Sequence, residues 1–203
     1  VAKTDFKKEL KHLYQPSAKE VTVVDVPDMN FLMVDGQGDP NTSPRYQEAL
    51  EALYTVSYQL KFTIKGRAPE SDYVIPPPEG LWWAKDVDAF TMDDRDAWQW
   101  TAMIMQPEQV TQALFDEAVD KVKQKKDVPG LGKLRFQRYH EGQAVQILHL
   151  GPYSAEGPTI ERLHAFASEN GYQLRGKHHE IYLSDPRRTA PEKIRTVIRQ
   201  PVE

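Results

Sequence analysis

Two stretches decide the architecture: FLMVDGQGDPNTSPRYQEALEAL at residues 31–53 and VQILHLGPYSAEGPTIERLHAF at residues 145–166. Each reads as an apolar strand, a glycine turn, an acid and a proline, and then an amphipathic helix. A strand with aromatic or acidic content follows each helix, LWWAK at 81–85 or HEIYL at 179–183. Each half then closes on a strand ending in Gln-Pro, MIMQP at 103–107 and VIRQP at 197–201. The same features in the same order predict a duplicated β-α-β-β unit. The expected fold is α+β: two such modules in pseudo-two-fold arrangement, helices outside, with a concave ligand cleft where the sheets meet. A helix at 1–18, a first module at about 19–106 and a second at about 107–203 would make up one domain.

Working outward, DFKKELKHLY at 5–14 puts Phe6, Leu10, Leu13 and Tyr14 on one helical face. Val21–Val26 and Phe31–Val34 read as two strands split by PDMN. Ser43 caps a helix that Pro44 opens, with Leu50, Leu53, Ser57, Leu60 and Ile64 on its buried face. KDVDAFTMDDRDAW at 85–98 is an acidic connection. Pro107 starts a helix marked by Val110, Leu114, Ala118 and Val122, which ends in the solvated lysines of KVKQKK. KLRFQRYH and AVQILHL flank Glu141-Gly142, a hairpin-turn candidate. YQLRG, HHEIYLSD and IRTVIRQ supply the last strands.

Composition excludes several function classes. The 203 residues carry 26 basic and 30 acidic side chains, a net charge of −4, so a basic nucleic-acid surface is not expected. No apolar run approaches the ~20 residues of a membrane span. The first fourteen residues lack a signal peptide's apolar core, and the absence of cysteine fits a cytoplasmic protein and removes disulfides and thiolate chemistry. There is no GxxxxGK[ST], no GxSxG and no HExxH. Gly36-Gln37-Gly38 lacks the third glycine of a dinucleotide fingerprint, and the adjacent His178 and His179 point oppositely on a strand. Neither a metal nor a cofactor is expected.

Candidate site residues come from alternation. On KHHEIYLSD, Ile181 and Leu183 share one face with His179, while His178, Glu180 and Tyr182 share the other. If the aliphatic face packs beneath helices, Glu180 and Tyr182 face the cleft. A carboxylate walled by aromatics there would bind a cation or act as a general base. Four tryptophans within 82–100 suggest an aromatic-lined pocket. Trp82 and Trp83 lie on opposite faces of one strand, and Trp98 and Trp100 share a face of the next. Met103 and Met105 offer an adaptable surface to a flat ligand from the other face of that strand. His149 lies on the Val145/Ile147 face.

The chain resembles the GyrI-like small-molecule-binding family, the stand-alone relatives of effector-binding domains in multidrug-sensing regulators. The resemblance spans almost the whole chain through PPPEGLWWAK, WQWTAMIMQP, QAVQILHLGPYSAEGPTIERLHAF and, most specifically, GKHHEIYLSDPRRTAPEKIRTVIRQPV. It implies two β-α-β-β modules around an aromatic pocket, with Glu180 at the position of the acid that attracts cationic aromatic drugs in the sensors. Members with LWWAK and HHEIYLSDPRRT also resemble hydrolases of cyclopropanoid genotoxins, DNA alkylators bearing a cyclopropane fused to a dienone. That resemblance implies Glu180 as base or water-orienting group, and Tyr153, His149 or Tyr182 as donor to the developing oxyanion. Trp82, Trp83 and Trp100, with Met103, Met105 and His178, would contact the ligand. No helix-turn-helix is expected before the first module. The expected partner is a hydrophobic aromatic small molecule, without nucleic acid or membrane. Sequestration without turnover, or a protein-interaction role such as gyrase modulation, are the alternative functions.

Overall fold

A computed structural model describes residues 3–84 and 95–203. In chain order the elements are α1 (Phe6–Glu9), α2 (Lys11–Tyr14), β1 (Thr22–Gln37), α3 (Pro44–Arg67), β2 (Pro78–Ala84), β3 (Trp98–Gln106), α4 (Gln112–Lys125), β4 (Arg135–Leu150), α5 (Gly157–Glu169), β5 (His178–Tyr182) and β6 (Arg195–Pro201). They fall into two units: Val1–Glu9 with Met29–Tyr139, and Leu10–Asp28 with His140–Glu203. Most of the expected acidic connection, 85–94, lies outside the described residues.

In the first unit β3 is the central strand. It pairs antiparallel with β1, Phe31 opposite Met105 and Val34 opposite Ala102, and with β2, Trp82 opposite Trp100. Helix α3 buries Ala49, Ala52, Leu53, Val56, Ser57, Leu60 and Ile64, a stripe repeating every three to four residues. Gln106 Nε2 donates to Ser57 Oγ at 3.1 Å, which sets α3 over the face of β3 that carries Trp100, Ala102 and Ile104. Helix α4 starts at Gln112, not at Pro107. Thr111 caps it by accepting the Leu114 N–H at 3.3 Å, while Pro107–Val110 closes a turn.

The second unit repeats the plan. β6 is central, pairing antiparallel with β4, Ile147 opposite Ile198, and with β5, Glu180 opposite Ile198. Val145, Ile147, Ile198 and Val202 pack on Leu163 and Ala167 of α5. The strand orders are therefore β1-β3-β2 and β4-β6-β5, each the first, third and second strand of a β-α-β-β run. The α+β duplication expected from the sequence is present in each unit's own pairing.

Several boundaries differ from expectation. Residues 22–37 form one strand, because Pro27 sits at an exposed position that its ring tolerates. Glu141-Gly142 is not a hairpin turn. β4 runs through it, with Gly142 at φ +73°, the backbone of a bulge, and Glu141 buried. The N-terminal helix is two single turns, α1 and α2, and α4 groups with the first unit, not the second. YQLRG contributes only a bridge between Leu174 and Val202. No helix among the described residues is long and apolar enough to cross a membrane.

Candidate functional site

Directly opposed residues of antiparallel strands project to one face. One such row in the second unit is Tyr182, Thr196 and His149, and the next is Glu180, Ile198 and Ile147. Since Ile198 and Ile147 pack on α5, Glu180, Tyr182 and His149 lie on the helix-covered face. The alternation along β5 holds, but the two faces are exchanged relative to the sequence reading. The physical reason lies beneath Ile181. There the other face is occupied by a buried polar cluster, in which Glu141 accepts from His179 Nδ1 at 2.8 Å and from Arg199 Nη1 at 3.1 Å.

Glu180 sits at the centre of the helix-side site, its side chain 15% exposed. Its Oε1 lies 2.9 Å from His178 Nε2, and its Oε2 accepts from the Tyr182 hydroxyl at 2.8 Å. A second carboxyl faces it. Glu156, from the single turn that precedes α5, is buried, and its charge and that of Glu180 act on each other. Burial, then the charge of Glu180, pushes the Glu156 pKa far above the ordinary carboxylate range. Burial works to raise Glu180 too, but the bond from His178, its positive field, Tyr182 and Glu156 together outweigh it and hold Glu180 below the ordinary value. Two carboxyls in contact cannot both ionise cheaply. The proton accordingly rests on Glu156 and the negative charge on Glu180. Oε1 of Glu156 is buried without a hydrogen-bond partner.

Tyr153 stands edge-on to Tyr182, ring centroids 5.6 Å apart, and burial followed by the fields of Glu156, Glu180 and Asp185 pushes its hydroxyl up to about 12. His149 does not present a free ring nitrogen: Nδ1 lies 2.9 Å from Thr159 Oγ1 and Nε2 lies 3.3 Å from the Pro152 carbonyl oxygen. It ties β4 to the start of α5. The structure thus brings together Glu180, Tyr182, His178 and Tyr153, and adds Glu156. The sequence carried a signal for Glu156, the acid that precedes the proline in the repeated strand–glycine–acid–proline pattern.

In the first unit the aromatic candidates divide by face. Trp82 and Trp100 lie on the α3 side, where Tyr46 meets them at centroid distances of 5.7 and 5.0 Å, and both are buried. Trp83, half-buried, shares the opposite face with Met103 and Met105. No cluster of three or more His, Asp or Glu side chains that could hold a metal occurs among the described residues.

The GyrI-like small-molecule-binding domain family matches residues 19–203. This chain belongs to that family. Among solved structures, an uncharacterized conserved protein from Listeria innocua is 41% identical over 99% of this chain and 100% of its own, with a TM-score of 0.93. A hydrolase encoded by lin2189 from Listeria innocua is 39% identical, with full coverage of both chains and a TM-score of 0.89. The C-terminal domain of EcmrR, 15% identical over 91% of this chain and 97% of its own, shares the fold at a TM-score of 0.54. No curated protein matches.

Proposed function

We propose that this GyrI-like protein is a hydrolase that opens the cyclopropane ring of cyclopropanoid genotoxins, using the site under α5. The observation that carries the proposal is the pairing of two carboxyls on the helix-covered face: burial and the charge of Glu180 raise the pKa of Glu156, while His178 and Tyr182 hold that of Glu180 down. Such a pair supplies an acid and a base at the same pH. Glu180 takes a proton from water as its oxygen bonds to the strained ring carbon. The carbon–carbon bond breaks, its electron pair passes through the dienone to the oxygen, and that oxygen takes a proton from Glu156. The product is a phenol that has gained one water, with strain release and aromatisation as the driving force. His178 and Tyr182 orient Glu180, and Tyr153 and Tyr182 offer aromatic surface to a flat ligand. The hydrolase encoded by lin2189, similar along its whole length, supports the reading.

A second reading is sequestration of cationic aromatic molecules without turnover, favoured by the negative charge on Glu180 beside two tyrosines. Incubation of the pure protein with a cyclopropanoid alkylator, followed by chromatography and mass, separates the two. The hydrolase predicts ring-opened product one water heavier, lost by about 100-fold or more in Glu180→Gln and in Glu156→Gln. Tight binding with the compound returned intact refutes hydrolysis and leaves sequestration.

A further inference from the structure

Corresponding sheet rows of the two units differ in chemistry. Counting back from the glutamine of each Gln-Pro strand end, Ala102 corresponds to Thr196 and Ile104 to Ile198. In the first unit the rows read Val34–Ala102–Gly80 and Leu32–Ile104–Pro78. In the second they read His149–Thr196–Tyr182 and Ile147–Ile198–Glu180. The first unit thus builds this helix-side face without a polar side chain, and the second sets a carboxylate, a phenol, a hydroxyl and an imidazole on it. Past the strand, Gly36 corresponds to Gly151, and after the first-turn prolines of the two helices Arg45 corresponds to Thr159. The first unit passes from strand to helix with Val34 and Arg45 at the two places where the second has His149 and Thr159. The connection itself therefore does not require the histidine.

His149 is buried, and both of its ring nitrogens are engaged. The Pro152 carbonyl oxygen, 3.3 Å from Nε2, can only accept. In the neutral ring Nε2 therefore carries the hydrogen, and Nδ1 accepts from the Thr159 hydroxyl at 2.9 Å. Gly151 admits the ring: its φ is +137°, and a Cβ there would meet Nε2 at 3.3 Å. The two contacts bracket one short segment. Pro152 leads into the single turn Tyr153–Ala155, Glu156 follows it, and Thr159 lies in the first turn of α5. The same Pro152 oxygen accepts the Ala155 N–H at 2.9 Å, and the Glu156 carbonyl accepts the Ile160 N–H at 2.9 Å. One strand residue so grips both ends of the turn that sets Tyr153 against Tyr182 and Glu156 near Glu180.

We propose that His149 is a positioning residue, a clamp that holds the turn 152–156 so that Glu156 and Tyr153 stay beside Glu180 and Tyr182. Its effect on turnover rests on the hydrolase reading of the site under α5, but the clamp itself does not. Glu156 faces Glu180 of β5, Thr196 of β6 and Tyr153 of its own turn, and His178 and Asp185 act on Glu180 and Tyr153. Ionising Glu156 beside the charge of Glu180 drives the turn outward, toward water. The clamp opposes that movement, so each contact removed brings the ionised form closer by the free energy of that contact.

The test follows the side-chain carboxyl ¹³C resonances of the whole glutamate-labelled chain through a pH titration, with Glu156 assigned by its absence in Glu156→Gln. Turnover of a cyclopropanoid alkylator is measured in parallel. Thr159→Val, nearly isosteric, should raise the Glu156 acid constant about threefold, and His149→Phe, which loses both contacts, about tenfold. His149→Gln sets an amide N–H near the place of Nε2 and should recover most of that difference, which a role in ring packing alone would not. Since the turn carries the acid, kcat should fall in the same order with KM little changed. An unmoved Glu156 titration in both Thr159→Val and His149→Phe overturns the proposal, as does His149→Gln behaving like His149→Phe. Should His149→Phe fail to fold, Thr159→Val decides alone. Titrations that move as expected while the wild type yields no ring-opened product uphold the clamp and refute the hydrolase reading instead.

Discussion

Replacing Glu141 by Gln removes the only carboxylate from a cluster that also holds His179 and Arg199, with side chains 1 to 2% exposed. Burial alone would raise the Glu141 pKa, but His179 and Arg199 pull it down to about 2 from an ordinary 4.5. That separation is worth about 3 kcal/mol of folding stability. Because the folded value is the lower one, the contribution is complete above pH 4.5 and is lost as pH falls toward 2. Glu141→Gln forfeits it and leaves Arg199 facing a neutral amide in the interior. A loss of about 3–5 kcal/mol at neutral pH is expected, as for other buried pairs deprived of one partner. Urea unfolding at a series of pH values from 7 to below 4 provides the assay. Wild type should lose stability steeply on the acid side, the variant should lose less, and the gap between them should narrow as pH falls. Parallel pH profiles, or a neutral-pH difference below about 1 kcal/mol, would refute the reasoning.

Three further outcomes follow from single contacts. Tyr182→Phe removes the donor to Glu180 Oε2, so the acid limb of the pH–rate profile should move up by about one pH unit or more, as expected for a lost bond to a charged group. In the wild-type profile activity should persist well above the ordinary carboxylate range, until Glu156 loses its raised-pKa proton, and Glu156→Gln should abolish that alkaline limb; an unchanged alkaline limb in the variant would contradict the acid role. Gly36→Ala would place a methyl 2.2 Å from Cη2 and Cζ2 of Trp100, and a thermal scan should show a loss of about 1–3 kcal/mol from overpacking.

The duplication was legible because it is written in order, not only in composition: Gly36 and Gly151 occupy matching registers, and the third strand of each β-α-β-β run closes on Gln-Pro. Glu180, Tyr182 and His178 were likewise legible as one face of β5. Which face meets the helix was not, because both faces of β5 are buried: His179 and Ile181 are as inaccessible as any aliphatic core residue. Period-two alternation yields two sets and no label for either. Glu156 escaped because it lies in a turn, where no period marks a side chain's direction. Glu141-Gly142 reads as a turn for a related reason: Glu-Gly is ordinary turn chemistry, and only the distant partners His179 and Arg199 show that the strand continues through it. The tryptophans were visible as a cluster, yet their division into Trp82 and Trp100 against Trp83 depends on where Tyr46 of α3 lands.

The buried arginine and glutamine that accompany Glu141 also bear on the order of folding. Arg199 Nη2 donates to the Leu13 carbonyl at 2.8 Å, and Gln146 Nε2 to that of His12 at 2.5 Å, across sequence separations of 186 and 134 residues. Four residues of α2 cannot hold a helical turn alone. The turn therefore awaits strands made from the far end of the chain, and closing so long a loop is slow. During synthesis, residues 11–14 leave the ribosome long before β6 exists, so they wait unstructured and are among the last parts of the second unit to settle. Ribosome-tethered chains that stop short of residue 195 should leave this segment open to protease, and chains that include β6 should close it.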